Sequence, residues 1–484
     1  MESRRIGVGA LALQLAGWRQ SAARGALYRR LADALRLLIL DGRLPLGLRL
    51  PGERSLAAAL GISRTTAAAC YATLRDQGYL DGRQGAGNWT RVPGETDPGP
   101  AGPIETDLDD GVINLSGAAM AANELVHAAY AAALGRMAYY LPGNGYQPIG
   151  LGELRAAVAE RYARRGLPTT ADQVLITNGA HHGFALVLRA LTRPGDRVVI
   201  DHPSYPHAID AIRRAACVPV PIPLEREGWN AEAWRATLSQ TAPRLAYVIA
   251  DFHNPTGLCM EAPARAAIAA AAAASAVPLI VDETMADLWF DAPPPAPLAA
   301  FGTRGTIALG STGKSFWGGL RVGWIRAEPA VISAIARIRA SIDLGTPVLE
   351  QLAAVDLLAR GDAALEPRRR TLAARCALLR SLVARDFPEW RLRPPRGGVS
   401  LWIELPRAES IALSVAAERF GVRITPGPRF GVGGAFGRFL RLPFTRSEDD
   451  LTEGIARLAR SYATLRADPP SRREAEWLLA DELV

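Results

Sequence analysis

Lys314 is the only lysine in the chain; the other 55 of its 56 basic residues are arginine. An arginine guanidinium stays protonated, whereas a desolvated lysine can lose its proton and attack as an amine. A position that keeps lysine in so arginine-rich a chain points to amine chemistry. It lies in Leu309-Gly310-Ser311-Thr312-Gly313-Lys314-Ser315-Phe316-Trp317-Gly318-Gly319-Leu320-Arg321, where Ser311 and Arg321 are phosphate-binding types flanking the amine.

Other groups precede it in chain order. Asp282 closes the apolar run Pro278–Asp282, a place from which a carboxylate can keep a pyridine nitrogen protonated. Asn254, in His253-Asn254-Pro255-Thr256-Gly257, can donate to a phenolate oxygen. Asn178-Gly179-Ala180-His181 follows the run Val174–Thr177 and opens a helix, so its free backbone N–H groups form an anion site. Tyr205, in Asp201-His202-Pro203-Ser204-Tyr205, is placed to stack on a ring. An amine, a dianion clamp, a pyridine partner and a stacking aromatic are what pyridoxal phosphate requires. Each group alone has an ordinary structural reading; five in this order, with the only lysine among them, do not. His181 and His182 are adjacent, so they face apart on a helix, and no HExxH pattern exists; a metal site is not expected.

The elements that must position these groups are legible as strand-length apolar runs: Val174–Thr177, Arg197–Asp201, Leu245–Ala250, Pro278–Asp282 and Thr306–Leu309. They alternate with helical stretches such as His182–Leu191 and Glu261–Ala276, the pattern of a mainly parallel sheet covered on both faces. Val399–Leu405 and more helix follow in the last 110 or so residues and predict a smaller α+β lobe. No run reaches 18 strongly apolar residues, the N-terminus shows no secretory pattern, and the four cysteines are scattered. These features predict a soluble cytoplasmic protein.

Charge divides the chain differently. Residues 1–91 hold 14 arginines against 6 acidic residues, while the remainder balances at 42 of each sign. The entire net charge of +8 therefore sits in a basic head, the footprint of a polyanion-binding module. Residues 92–111 are rich in Pro and Gly and predict a linker. Within the head, Leu27–Leu40 has leucines at helical spacing (Leu27, Leu31, Leu35, Leu38), and a second helix opens near Leu50-Pro51-Gly52-Glu53-Arg54. Leu60-Gly61-Ile62-Ser63-Arg64-Thr65-Thr66 is a turn with Ser63 placed to cap a third helix running to about Gln77. Gly78–Thr90 then predicts a hairpin with a Gly-rich tip, completing a winged helix-turn-helix.

These motifs, with Leu40-Asp41-Gly42-Arg43-Leu44 and Arg83-Gln84-Gly85-Ala86-Gly87, resemble the DNA-binding domain of the GntR family of bacterial regulators. The resemblance implies DNA contacts by Arg54, Arg64, Thr65, Thr66 and Gly85. Gly52 departs from it, since the family usually has Ser there. Residues 112–465 resemble class I/II aminotransferases of the fold-type I pyridoxal-phosphate superfamily. This implies an internal aldimine at Lys314, a pyridinium partner in Asp282, a phenolate ligand in Asn254 and stacking by Tyr205. It implies further that Ala180, His181, Ser311 and Arg321 hold the phosphate, that Tyr146 reaches a neighbouring subunit's phosphate, and that Arg441 forks onto a substrate or effector carboxylate. A tyrosine that the family places two or three residues after the aspartate is replaced here by Thr284 and Met285. The whole architecture, a winged helix-turn-helix over residues 1–91, a linker over 92–111 and an aminotransferase-like body over 112–484 with its small lobe from about 370, resembles the MocR subfamily of GntR regulators. It implies a homodimeric, head-to-tail transcription factor on double-stranded operator DNA, whose body senses pyridoxal phosphate or an amino compound and is not an enzyme, slow half-transamination apart. The alternatives are an active aminotransferase with an incidental head and a sensor of free cofactor.

Overall fold

A computed structural model of the chain describes residues 6–15, 18, 26–40, 44, 48–83, 87–91, 111–122, 124–302 and 305–467. Gly85 and the linker stretch 92–110 lie outside the described residues. The chain divides into two compact units, one within residues 1–106 and the other within 107–483.

The first unit contains helices α1 (Val8–Gln14), α2 (Leu27–Leu40), α3 (Glu53–Leu60) and α4 (Arg64–Asp76). With them are strands β1 (Arg49–Leu50), β2 (Leu80–Arg83) and β3 (Gly87–Thr90), joined antiparallel in the order β1-β3-β2. Leu31, Leu35 and Leu38 of α2 pack with Leu56 of α3 and with Ala67, Cys70, Tyr71 and Leu74 of α4. Leu27, expected on that apolar face, is instead 39% exposed at the first residue of α2, short of the packed turns. The turn between α3 and α4 follows from its sequence. Gly61 takes the left-handed conformation (φ 61°) that ends a helix cheaply only without a side chain. Ser63 then caps α4, its hydroxyl accepting from the Thr66 N–H at 3.0 Å.

The second unit is built on a seven-stranded sheet: β5 (Val174–Thr177), β6 (Arg197–His202), β7 (Val218–Pro223), β8 (Leu245–Val248), β9 (Leu279–Asp282), β10 (Thr306–Ser311) and β11 (Gly323–Arg326). Its order is β5-β11-β10-β9-β8-β6-β7; β11 runs antiparallel to both neighbours, and the other strands share one direction. Side chains alternate faces. Leu245, Tyr247, Ile280, Ile307 and Leu309 enter one core, with α7 (Ala180–Leu191), α8 (Pro206–Arg214) and α12 (Pro329–Arg339). Ala246, Val248, Leu279 and Val281 enter another, with α9 (Ala231–Thr241) and α10 (Ala262–Ala274). The near-continuous apolar runs arise because both faces are covered. The smaller lobe carries an antiparallel sheet of β12 (Arg391–Leu392), β13 (Ser400–Glu404), β16 (Phe439–Pro443) and β15 (Thr425–Pro426), in that order. Helices α14 (Glu366–Asp386), α15 (Ser410–Arg419) and α16 (Glu448–Ala467) share its core. Among the described residues, no helix is long and apolar enough to cross a membrane.

Candidate functional site

Thr177, Asp282 and Ser311 end β5, β9 and β10, so one edge of the sheet gathers all three. Ligands of open α/β sheets bind in the crevice outside such carboxyl ends. Lys314 follows within one turn, on the short helix α11 (Thr312–Ser315). Its Nζ donates to the Ala118 carbonyl at 2.5 Å, which fixes the amine against the loop after β4 (Ile113–Asn114). Ser311 turns the chain from strand into that helix: its hydroxyl accepts from the Gly313 N–H at 3.0 Å and donates to the Val322 carbonyl at 3.2 Å.

Asp282 is 8% exposed and oriented by two donors, the Tyr247 hydroxyl at 2.7 Å and the Thr284 N–H at 2.9 Å. Tyr247 sits one strand over, on the face that Ile280 shares, and burial pushes its phenol pKa well up. It therefore serves as a proton donor throughout the ordinary pH range. Sequence reasoning passed over Tyr247 because it lies inside an apolar strand; an aromatic with a polar tip opposite a strand-end carboxylate was the available signal. Thr284 gives only its backbone to Asp282, and Met285 is 3% exposed, in the core of the smaller lobe.

The turn that opens α7 depends on glycine. Gly179 has φ 92°, and a Cβ there would stand 3.0 Å from Arg321 Nη2. A Cβ on Gly323 would come within 2.6 Å of the Ala180 nitrogen, so the N-terminus of α7 can lie against the start of β11 only because Gly323 lacks a side chain. Arg321 donates to the Asn178 carbonyl at 2.7 Å, which brings the loop after Lys314 to the turn that opens α7. His181 follows Ala180 on α7, edge-on to Tyr205 with centroids 6.2 Å apart, and Tyr205 caps α8.

Arg441, 7% exposed on β16, donates to the Ser116 carbonyl and, at 3.5 Å, to Asn254 Oδ1. Its guanidinium lies 5.1 Å from the centre of the Phe430 ring. Arg441 and Asn254 thus meet, and Arg441 and Lys314 both donate to the Ser116–Ala118 loop, which sequence reasoning did not single out. Tyr146 is separate: it is 60% exposed, and its backbone N–H is held by Asn144. In the first unit, Arg54, Arg64 and Thr65 are exposed and Thr66 is half-buried, the last three at the start of α4. Among the described residues, no cluster of three or more His, Cys, Asp or Glu could hold a metal.

Residues 112–458 match the family "Aminotransferase class I and II", and residues 27–89 match "Bacterial regulatory proteins, gntR family". The chain is 26% identical over 462 residues to an HTH-type transcriptional regulator of Bacillus subtilis, YdfD, spanning 89% of this chain and 95% of that one. It is 27% identical over 429 residues to the probable rhizopine catabolism regulatory protein MocR of Rhizobium meliloti, with 83% and 86% covered. Its fold matches the crystal structure of LysN, the α-aminoadipate aminotransferase of Thermus thermophilus complexed with N-(5'-phosphopyridoxyl)-L-leucine. That match has a TM-score of 0.68 and 30% identity, over 76% of this chain and 97% of that one. With one domain of each kind in a single polypeptide, the chain belongs to the class I and II aminotransferase family and carries a gntR-type domain, an architecture consistent with the MocR subfamily of regulators.

Proposed function

We propose that the chain is a transcriptional regulator whose first unit binds operator DNA and whose second unit binds pyridoxal phosphate to sense an amino compound. The observation that carries the reading is the pairing, in one chain, of a serine-capped helix-turn-helix with a sheet edge that presents the only lysine and a buried, doubly hydrogen-bonded aspartate. We take the units as a head over residues 1–91, a linker over 92–111 and a body over 112–484.

The residues present fit this cofactor. Asp282 is an oriented buried acceptor for a ring nitrogen, and the glycine-lined start of α7 with Ser311 and Arg321 suits a phosphate dianion. When bound, pyridoxal phosphate supplies an aldehyde for amines and a ring that withdraws electrons. The protein's part is orientation. Tyr247 holds Asp282 in one rotamer, and Lys314 leaves its bond to Ala118 O to offer its Nζ lone pair. Asn254, Tyr205, Ala180 and His181 complete the ring and phosphate contacts, and Arg441 receives the carboxylate of the amino compound. Arg54, Arg64, Thr65, Thr66 and Gly85 contact DNA. Leu134, Tyr139, Leu141 and Tyr146, all within residues 134–146, are 60% or more exposed, and such exposed apolar residues favour a homodimer with Tyr146 reaching the partner's phosphate site.

A second reading, an active aminotransferase, is favoured by Arg441 and Asn254 meeting at the edge of the site and by the aminotransferase fold match. One experiment separates the two. DNA binding and keto-acid production are measured on the same holoprotein while amino compounds are screened. A compound that changes operator affinity without turnover supports the regulator. Turnover at about 1 s⁻¹ or above, with DNA affinity unchanged, overturns it.

A further inference from the structure

His182 follows His181 on α7 and Asp343 lies just past the end of α12; neither is among the residues assigned above to pyridoxal phosphate. The backbone N–H of Asn178 donates to His182 Nδ1 at 3.0 Å, and the Asn178 side-chain amide donates to Asp343 Oδ2 at 2.6 Å. With its carbonyl accepting from Arg321, Asn178 is held from three directions, immediately before Gly179 and Ala180. Asp343 is anchored in turn by Arg339, which donates through Nε at 2.8 Å and Nη2 at 3.1 Å. Arg339 is fully buried; it also donates to Thr346 Oγ1 at 2.9 Å and to the Pro148 and Ile176 carbonyls. The turn is thereby tied to the end of β5 and to α12.

This geometry fixes a tautomer. A histidine whose Nδ1 accepts from an N–H must be neutral and carry its proton on Nε2. Nε2 lies 3.6 Å from Asp343 Oδ2 and has no hydrogen-bond partner among the described residues. A proton added to Nδ1 removes the acceptor of the Asn178 N–H, in the turn that presents the helix N-terminus. We propose that His182 and Asp343 are positioning residues for the phosphate site, holding the Asn178–Ala180 turn so that its N–H groups converge on the dianion. The inference rests on the cofactor reading above. Burial works in the same direction: with help from Arg339, Arg321 and His181, and against the pull of Asp343, it lowers the His182 pKa and keeps the ring neutral.

The test compares pyridoxal phosphate with pyridoxal, which lacks the phosphate, by equilibrium dialysis against the full chain and its variants. The ratio of the two affinities isolates the phosphate site from Lys314 and Asp282. His182→Leu should lower that ratio about tenfold, and Asp343→Asn should lower it at least about threefold, with pyridoxal affinity unchanged. His182→Gln offers a carbonyl acceptor at the same place and should restore the ratio to within about threefold. As pH falls through the imidazole range the ratio should fall more steeply in the wild type than in His182→Gln, in which only the ligand's own phosphate titrates. Equal losses for both compounds, or a Gln variant no better than Leu, would overturn the positioning role while leaving the cofactor reading standing. A wild-type chain that takes up neither compound overturns the cofactor reading itself. If His182→Leu does not fold, the Asp343→Asn ratio and the pH comparison decide alone.

Discussion

Two substitutions in the first unit should move stability in opposite directions through the same kind of bond. Ser63 caps α4: its hydroxyl accepts the Thr66 N–H at 3.0 Å and contacts the Thr65 and Thr66 hydroxyls at 2.7 and 2.8 Å. Ser63→Ala removes that acceptor at an exposed helix start, a loss of about 1 kcal/mol. Gly52 occupies the same position for α3 with φ −63° and ψ 153°, and makes no side-chain cap bond. A Cβ there meets nothing within 4 Å, and any L-residue adopts those angles. Gly52→Ser should therefore gain a few tenths of a kcal/mol from the cap and about 0.4–1 kcal/mol from a stiffer unfolded chain. For a unit of this size the two variants should shift the first unit's melting midpoint by about 4–8 °C, downward and upward respectively. Calorimetry on the full chain reads this, provided the two units melt as separate transitions. Ser63→Ala should also weaken operator binding, because Thr65 and Thr66 lose the group that orders them. The salt dependence should stay constant, since no charge is removed. A Gly52→Ser midpoint equal to or below wild type would refute the cap reasoning, as would a Ser63→Ala variant that binds operator unchanged.

Lys314→Ala should abolish covalent capture of pyridoxal phosphate by borohydride, which in the wild type should label one peptide besides the α-amino group; mass spectrometry checks this. Arg441→Ala should lose the response of DNA affinity to an amino compound yet keep borohydride labelling, because the arginine faces Asn254 and Phe430 and not the lysine. Arg64→Ala should cost about 1–3 kcal/mol on the operator and much less on random DNA, read by titration at fixed salt. Burial pushes the Asp201 carboxyl up to about 8 and the His253 imidazole down to about 3. The raised acid binds more protons folded than unfolded, so its share of stability is lost as pH rises toward 8. The depressed base does the reverse, its share being lost as pH falls below about 6.5. The body's melting midpoint should therefore decline from about pH 6.5 to 8, and Asp201→Asn should flatten that decline.

The parts legible in the sequence were those whose physics is local. Ser63 announced its cap, Gly61 its left-handed turn, and β5 was bounded correctly because Val-Leu-Ile-Thr is a strand-length β-branched and apolar run closed by Asn-Gly. Asp282 and Ser311 were legible because each sits where a strand ends, which shows in the apolar pattern, and Lys314 because it is the only lysine in the chain. What stayed hidden depended on partners distant in sequence. The strand β7 reads Val-Pro-Val-Pro-Ile-Pro, a pattern that argues against a sheet interior; it is tolerated because β7 pairs only with β6, at an edge. Tyr247 gains its role only from pairing between β8 and β9, and Asp343 only from the path that brings the end of α12 back to Asn178.

A sensor and an enzyme ask different things of the same site. An enzyme must stabilise a transition state more than its bound ground state and then release product. A regulator needs only a ligand that binds two conformations unequally, and a tenfold difference already moves the balance by about 1.4 kcal/mol. In the proposed reading the groups that hydrogen bonds orient are binding groups: the Asp282 carboxylate, which accepts from Tyr247, and the turn at Asn178, which is bonded from three sides. The position where a tyrosine would tune the cofactor's phenolate holds Thr284, which gives the site only a backbone N–H, beside Met285, whose side chain fills the smaller lobe. Removing a tuning phenol costs turnover more than it costs capture, since capture needs only the amine, the dianion clamp and the carboxylate. The substitution therefore falls where a regulator loses least, and Thr284→Tyr should raise half-transamination, measured as cofactor conversion in a single turnover, while leaving cofactor affinity within about threefold. A Tyr variant no faster than wild type would refute this account of the missing phenol.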